Sequence, residues 1–151
     1  MPSPEDLAIA QTYRDKSEES IQVAEACFRK GRNRSACNRA YYSVIQLLTA
    51  AGYEKLIDLG WPRPPEHDTY KTDGPNWSHM VYSQLLGNFV CEFVKPLDAG
   101  TLKLPQQVFD MKRYRSKADY WHPDNIPASE AETMITLAKK IRQLVYDVIG
   151  N

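Results

Sequence analysis

The residues best suited to chemistry in this sequence are Arg115, Asp119 and His122, which lie close together just before Pro123. Pro123 disfavours the α conformation at His122, so the sequence predicts a helix that carries Arg115 and Asp119 and stops just before His122. The negative end of the helix dipole would favour the protonated imidazole there. An imidazole that titrates near neutrality is suited to acid–base chemistry on a phosphate.

A purely structural interpretation of the same residues stands beside this one. Asp119 follows Arg115 by four residues, the spacing at which two side chains meet on one face of a helix. Such an exposed pair stabilises a helix by only about 0.3 kcal/mol. His122 would then be no more than a residue at the end of a helix.

The elements that position these residues are predicted to be helices throughout, in an all-α bundle of four to five helices that forms one domain over residues 1–151. Ser3 and Pro4 are typical of a helix start, and Ser129 with Glu132 matches the capping-box pattern of a last helix. Apolar residues recur at helical spacing in each segment. The predicted helices run from Ser3 to a stop at Gly31, from 33 to a stop at Gly52, over about 77–94, from Pro105 to near Tyr120–Trp121, and from Ser129 onward. A proline-rich stretch at about 58–76 is predicted to be irregular.

Composition narrows the class of protein. The 19 basic and 19 acidic residues balance, and the three cysteines form no C-x-x-C pair. This usage predicts a reduced, cytoplasmic chain without a disulfide framework. No apolar run reaches the ~18–20 residues needed to span a membrane, so no membrane association is expected. The histidines and cysteines lack metal-ligand spacing, and we expect neither a metal nor another cofactor.

Two basic clusters suggest a phosphate-binding side of the molecule. The first lies between the first two helices and contains no acid; the second lies near Arg115. We select Arg39, Lys112, Arg113, Lys117 and Tyr120 as candidates for contacting a nucleic acid or nucleotide. The full clusters are Arg29, Lys30, Arg32, Arg34 and Arg39, and Lys112, Arg113, Arg115 and Lys117. An ordinary solvated face is the alternative for each cluster, and core packing is the alternative to base stacking for Tyr41 and Tyr42.

Two motifs in this order resemble those of the HEPN domain family. The second predicted helix contains Asn-Arg-Ala-Tyr-Tyr-Ser at 38–43, and the fourth ends in Ala-Asp-Tyr at 118–120, followed by His122. The resemblance spans essentially the whole chain. It implies a small helical bundle that commonly forms homodimers.

The resemblance also implies a function. Many HEPN domains are metal-independent ribonucleases of toxin–antitoxin pairs or antiviral defence, with an active motif of Arg, four to six residues, then His. Arg115 and His122 are separated by six residues, which fits. Ser116 stands where the family usually has Asn, Asp or His, and this favours the alternative, a non-catalytic HEPN module that binds a nucleotide or a partner protein. An antitoxin or a nucleotidyltransferase-like protein is the kind of partner implied.

The chemistry of such a ribonuclease can be stated from the residues. The 2′-hydroxyl of the RNA attacks the adjacent phosphate, which requires a base for its proton, an acid for the leaving 5′-oxygen and a cation at the phosphate. His122 can serve as the base or the acid, and Arg115 as the cation. A dimer that brings two such pairs together would supply the second acid–base group. The products would carry a 2′,3′-cyclic phosphate and a 5′-hydroxyl.

Overall fold

The computed structural model describes residues 1–56, 58, 60, 79–94, 98–120 and 126–150, with the backbone alone for 56, 79–85 and 114–120. All regular elements in these ranges are helical, which confirms the predicted all-α bundle. They are α1 (Pro4–Arg29), α2 (Asn33–Ala51), a π-helical turn (Gly52–Leu56), α3 (His79–Phe93), the single turn α4 (Ala99–Leu102), α5 (Leu104–Tyr120) and α6 (Ala128–Ile149). The predicted irregular stretch at 58–76 lies outside the described residues, apart from 58 and 60.

The start of α1 follows the predicted capping pattern. The Ser3 hydroxyl accepts a hydrogen bond from the Asp6 backbone N–H at 3.0 Å, and the Asp6 carboxylate accepts one from the Ser3 backbone. This reciprocal pair satisfies two donors that a helix start leaves without intrahelical partners. The turn after α1 contains Gly31 with φ of 74°, a left-handed conformation that favours glycine.

The second helix forms the centre of the bundle. α2 contacts α1, α3, α5 and α6, and most of its residues from Ala36 onward are buried. The inner face predicted from helical spacing is buried throughout, with Ala36, Ala40, Val44, Leu47, Leu48 and Ala51 all at most 2% exposed. Burial of this apolar surface is the main stabilising contribution to the fold.

The end of α2 differs from the prediction that Gly52 stops the helix. Gly52 keeps a right-handed helical conformation, and the chain continues as the π-helical turn. This turn carries the fully buried Tyr53, whose ring stacks on Tyr13 with the centroids 6.3 Å apart. Because Tyr53 packs in the core, the chain gains apolar contact by staying helical beyond Gly52.

The capping box predicted at Ser129 is wrong. Pro127 occupies the N-cap position of α6, and no side chain caps the helix there. The Pro127 carbonyl accepts from the Glu130 and Ala131 N–H groups at 3.0 and 3.2 Å. Ser129 therefore lies inside the first turn of α6, where its hydroxyl cannot cap the helix start.

Candidate functional site

The helix predicted to carry the catalytic residues is α5. Its described residues are Leu104–Tyr120, and because Trp121 lies outside the described residues, the end near Tyr120–Trp121 stays a prediction. Positions 115 and 119 are one turn apart on its backbone, in its last two turns. His122 lies outside the described residues, and only the backbone of Arg115, Lys117, Asp119 and Tyr120 is described. The clustering of Arg115, Asp119 and His122 therefore stays a prediction.

The preceding turns of α5 show which side of the helix faces the bundle. Val108 and Met111 are buried, whereas Lys112 is half-buried and Arg113 is exposed. α5 contacts α2, α3 and α6. The helical repeat places position 115 in register with Val108 and Met111. The backbone at 115 thus continues the bundle-facing stripe of α5.

The Arg-Ala-Tyr-Tyr segment of α2 divides between core and surface. Arg39 is exposed and Ala40 is buried. Tyr41 is fully buried, and its ring meets the half-buried Tyr42 ring edge-on, with centroids 5.7 Å apart. Core packing is therefore the structural role of Tyr41, and Arg39 remains available to solvent.

The first basic cluster surrounds the connection between α1 and α2, which we call the basic turn (residues 29–35). Its four cationic side chains, Arg29, Lys30, Arg32 and Arg34, are all exposed. A cleft of about 410 Å³ opens at this point, lined by Gly31, Arg32, Asn33, Arg34, Ser35 and Ile126. The basic turn therefore combines positive charge with a concave surface.

Asn33 links this cleft to the chain that follows α5. Its side-chain amide donates a hydrogen bond to the Ile126 carbonyl at 2.9 Å. Its side-chain oxygen is buried and has no hydrogen-bond partner among the described residues. Sequence reasoning missed Asn33, although an asparagine at a helix start is a common sign of side-chain bonding to nearby backbone.

One turn into α2, Cys37 is a buried thiol. Burial raises its pKa to about 11, and the negative charge of Glu130 on α6 adds to the effect. The protonated thiol is a poor nucleophile at neutral pH. Cys37 is thus a core residue rather than a reactive one.

The family assignment rests on a comparison with protein-family models. The model of the HEPN domain matches residues 10–148, which is nearly the whole chain. This protein belongs to the HEPN domain family. No curated protein and no solved structure matches it. HEPN domains often dimerise and bind RNA.

The two segments on which the HEPN resemblance was based lie on α2 and α5. α2 carries the Arg39-to-Ser43 motif segment, and α5 carries the backbone of the Arg115-to-Tyr120 segment. These two helices pack against each other. The two segments that resemble HEPN motifs therefore lie on directly packed helices.

Arg142, which sequence reasoning did not select, links two helices of this HEPN bundle. Arg142 of α6 is 8% exposed, and donates hydrogen bonds to the Ser17 hydroxyl at 2.9 Å and the Glu18 carboxylate at 2.7 Å. These contacts satisfy a buried guanidinium. We assign Arg142 a structural role because two of its groups bond to α1.

Two further properties concern the described part of the chain. No group of three or more His, Cys, Asp or Glu side chains there is arranged to hold a metal ion. No helix there has the length and apolar character needed to cross a membrane.

Proposed function

We propose that this HEPN domain is a metal-independent endoribonuclease. The observation that carries the proposal is the course of α5, whose described backbone continues the bundle-facing stripe at position 115 and runs on to Tyr120. His122 follows Tyr120 by two residues. Pro123 predicts that the helix stops before His122, which would place the Arg-x6-His motif of the family at a helix C-terminus, where the dipole favours a protonated imidazole.

The roles of the residues follow from the reaction. His122 exchanges a proton with the 2′-hydroxyl or with the leaving 5′-oxygen, and Arg115 stabilises the charge that develops on the phosphate. Asp119 holds the Arg115 side chain in position through their spacing of one turn. Lys112, Arg113 and Lys117, with Arg39 of α2, bind the neighbouring phosphates, and Tyr120 stacks on a base.

The proposed reaction requires a homodimer, because one chain offers a single motif histidine. Support comes from the apolar groove between α3 and α5, which is lined in part by Gly87, Cys91 and Pro105. At its edge, Leu102 and Phe109 are 56% and 36% exposed. Exposed apolar side chains of this size favour a protein–protein contact. A dimer formed there would place α5 near the interface.

A non-catalytic HEPN module that binds a nucleotide or a partner protein is the second candidate. Ser116 favours it, because the family motif usually has Asn, Asp or His after the arginine. In the cell, the endoribonuclease would act as a toxin or defence effector. An antitoxin or nucleotidyltransferase-like protein would then restrain it.

The test is cleavage of single-stranded RNA by purified protein in EDTA. Wild type is compared with His122→Ala, Arg115→Ala and the matched control His67→Ala, which removes an imidazole outside the motif. Loss of an acid–base group should lower the rate by ~10²–10⁴-fold. Loss of the phosphate-stabilising cation should lower it by about 10²–10³-fold. The control should cleave like the wild type.

Fold and products are checked in the same experiment. His122→Ala should change the free energy of unfolding by no more than about 0.5 kcal/mol, as surface substitutions usually do. Products should carry a 2′,3′-cyclic phosphate. Activity that survives His122→Ala, or that disappears in EDTA, would contradict the mechanism. An inactive wild type would favour the non-catalytic module.

A further inference from the structure

The basic turn is a strongly charged surface, and three of its cations lack ion-pair partners among the described residues. Arg29, Lys30 and Arg32 are exposed and form no ion pair with any described residue. Residues 29–39 contain no acid. Elsewhere in the described chain, basic side chains do find carboxylates, as Arg14 and Arg142 show. Within the described part of the chain, the positive charge of Arg29, Lys30 and Arg32 is therefore left uncompensated.

The basic turn carries positive charge at the start of α2, where it lowers the stability of the isolated protein. α2 begins at Asn33, has no acidic residue in its first turn, and lacks a side-chain hydrogen bond at its N-cap residue Arg32. The positive end of the helix dipole repels cations at this position. Arg32 at the N-cap therefore opposes the stability of α2. A negatively charged ligand would reverse the effect.

Chain connectivity limits how far the proposed cleavage centre can lie from this surface. Asn33 binds the Ile126 carbonyl, and Ile126 also lines the cleft beside Arg32. His122 precedes Ile126 by four residues. A chain of that length spans at most about 14 Å between Cα atoms. A nucleic acid bound at the basic turn would thus need only a short stretch of backbone to reach His122.

We propose that the basic turn and its cleft form a phosphate-binding subsite for an unpaired RNA strand, next to the cleavage centre. The inference rests on the proposed ribonuclease function and adds a substrate-holding surface away from the motif. An unpaired strand fits because attack by the 2′-hydroxyl in line with the leaving oxygen requires a backbone geometry that a regular duplex does not adopt. Its phosphates would pair with Arg29, Lys30 and Arg32.

The test measures RNA binding separately from cleavage. A fluorescent single-stranded RNA with 2′-O-methyl groups throughout cannot be cleaved through its 2′-oxygens, so its anisotropy reports binding alone. The double variant Arg29→Glu/Arg32→Glu is compared with wild type at several salt concentrations. Each phosphate contact to a single strand contributes about 0.7 to the slope of log K against log salt. The variant should bind at least about tenfold more weakly, with a slope lower by about 1.4.

The matched control is Lys55→Glu/Lys103→Glu, which makes the same charge change at exposed positions. Lys103 immediately precedes α5, whose 17 residues separate it from the Tyr120 end by about 25 Å. The control should therefore keep most of the wild-type affinity. Arg29→Gln/Arg32→Gln serves as the second variant if charge reversal disturbs the fold, as judged by circular dichroism and thermal unfolding. The loss of RNA affinity expected for this second variant is smaller and in the same direction.

Cleavable RNA distinguishes this inference from the proposed function. The basic-turn variant should raise KM and leave kcat within about twofold, because it loses contacts made equally in the ground and transition states. A wild type that binds RNA through the basic turn and cleaves nothing would contradict the ribonuclease and support the subsite. Any of three results would overturn the subsite. These are an equal loss of RNA affinity in the variant and the control, an unchanged salt slope, and a wild type that binds no RNA.

Discussion

The side chain of Asn33 donates a hydrogen bond to the backbone carbonyl of Ile126, 93 residues further along the chain, at 2.9 Å. Asn33 is the first residue of α2, and Ile126 lies just before α6 and is 7% exposed. This bond attaches the chain between α5 and α6 to the start of the central helix. It therefore fixes one end of the segment that contains His122 relative to the basic turn.

Removal of the Asn33 amide should weaken this attachment. We expect Asn33→Ala to lower the free energy of unfolding by about 1 kcal/mol, the usual net value of one hydrogen bond, with up to about 2 kcal/mol more if the Ile126 carbonyl stays buried and unpaired. Urea unfolding measures the change. Ser35→Ala, at an exposed position in the same helical turn, is the control and should stay within about 0.5 kcal/mol of the wild type. Equal stability of Asn33→Ala and the control would contradict the structural role.

Substitution of the ion pair between Arg14 and Glu54 should lower the free energy of unfolding more than substitution at most other polar sites. Arg14 donates to both Glu54 carboxylate oxygens, at 2.7 and 2.6 Å, and also to the carbonyls of Ile149 and Gly150. The two side chains are only 12% and 13% exposed. Arg14→Ala leaves the carboxylate and two carbonyls without this donor, so we expect a loss of about 3 kcal/mol. Arg14→Lys keeps the charge without the two-pronged geometry and should lose less. A loss below about 1 kcal/mol for Arg14→Ala would contradict this.

The ion pair between Arg142 and Glu18 predicts that the free energy of unfolding depends on pH. The hydrogen bond from Arg142 lowers the pKa of Glu18. Because the folded-state pKa lies below the unfolded value of about 4.3, the pair stabilises the fold above that pH. The contribution is lost as the pH falls through the folded-state pKa. Glu18→Gln should therefore be less stable than the wild type at pH 7, and the difference should shrink as the pH falls below about 4.3.

Chemical unfolding at several pH values measures this effect. Glu19→Gln is the control, since Glu19 is an exposed neighbour on α1 that forms no ion pair with a described residue. A stability difference for Glu18→Gln that stays constant from pH 7 to pH 3 would contradict the prediction.

The cysteines should differ in reactivity. Cys37 is buried with a pKa of about 11, and Cys91 is exposed. At pH 8 roughly one thousandth of a thiol with that pKa is ionised, and burial blocks the reagent as well. Iodoacetamide followed by mass spectrometry should modify Cys91 first and Cys37 only when the protein unfolds. Similar rates at Cys37 and Cys91 in the folded protein would contradict the burial, and urea should abolish the difference.

Helix positions could be predicted from local sequence signals. The Ser3 cap and the stop at Gly31 depend on neighbouring residues. Each acts over a few residues, because capping bonds and backbone restrictions are local. The buried face of α2 followed from its helical spacing for the same reason.

Other features depend on contacts between distant residues and could not be predicted. Glu54 lies 40 residues from Arg14, and Ile126 lies 93 residues from Asn33. The π-helical turn forms because Tyr53 reaches the core, which no local pattern indicates. At Ser129 the local signal was misleading, because Pro127 already sets the start of α6. For the candidate site, sequence predicted the course of α5 and the exposed charges, but not the link through Asn33.

The central position of α2 has a consequence for how the protein is made. α2 packs against α1, which precedes it, and against α5 and α6, which follow it. During synthesis α1 and α2 can pair as soon as both have left the ribosome, because only a short turn joins them. The side of α2 that receives α6 must wait until residues 128–149 have emerged. A newly made chain therefore passes through an interval in which a half-covered central helix is open to chaperones or to aggregation.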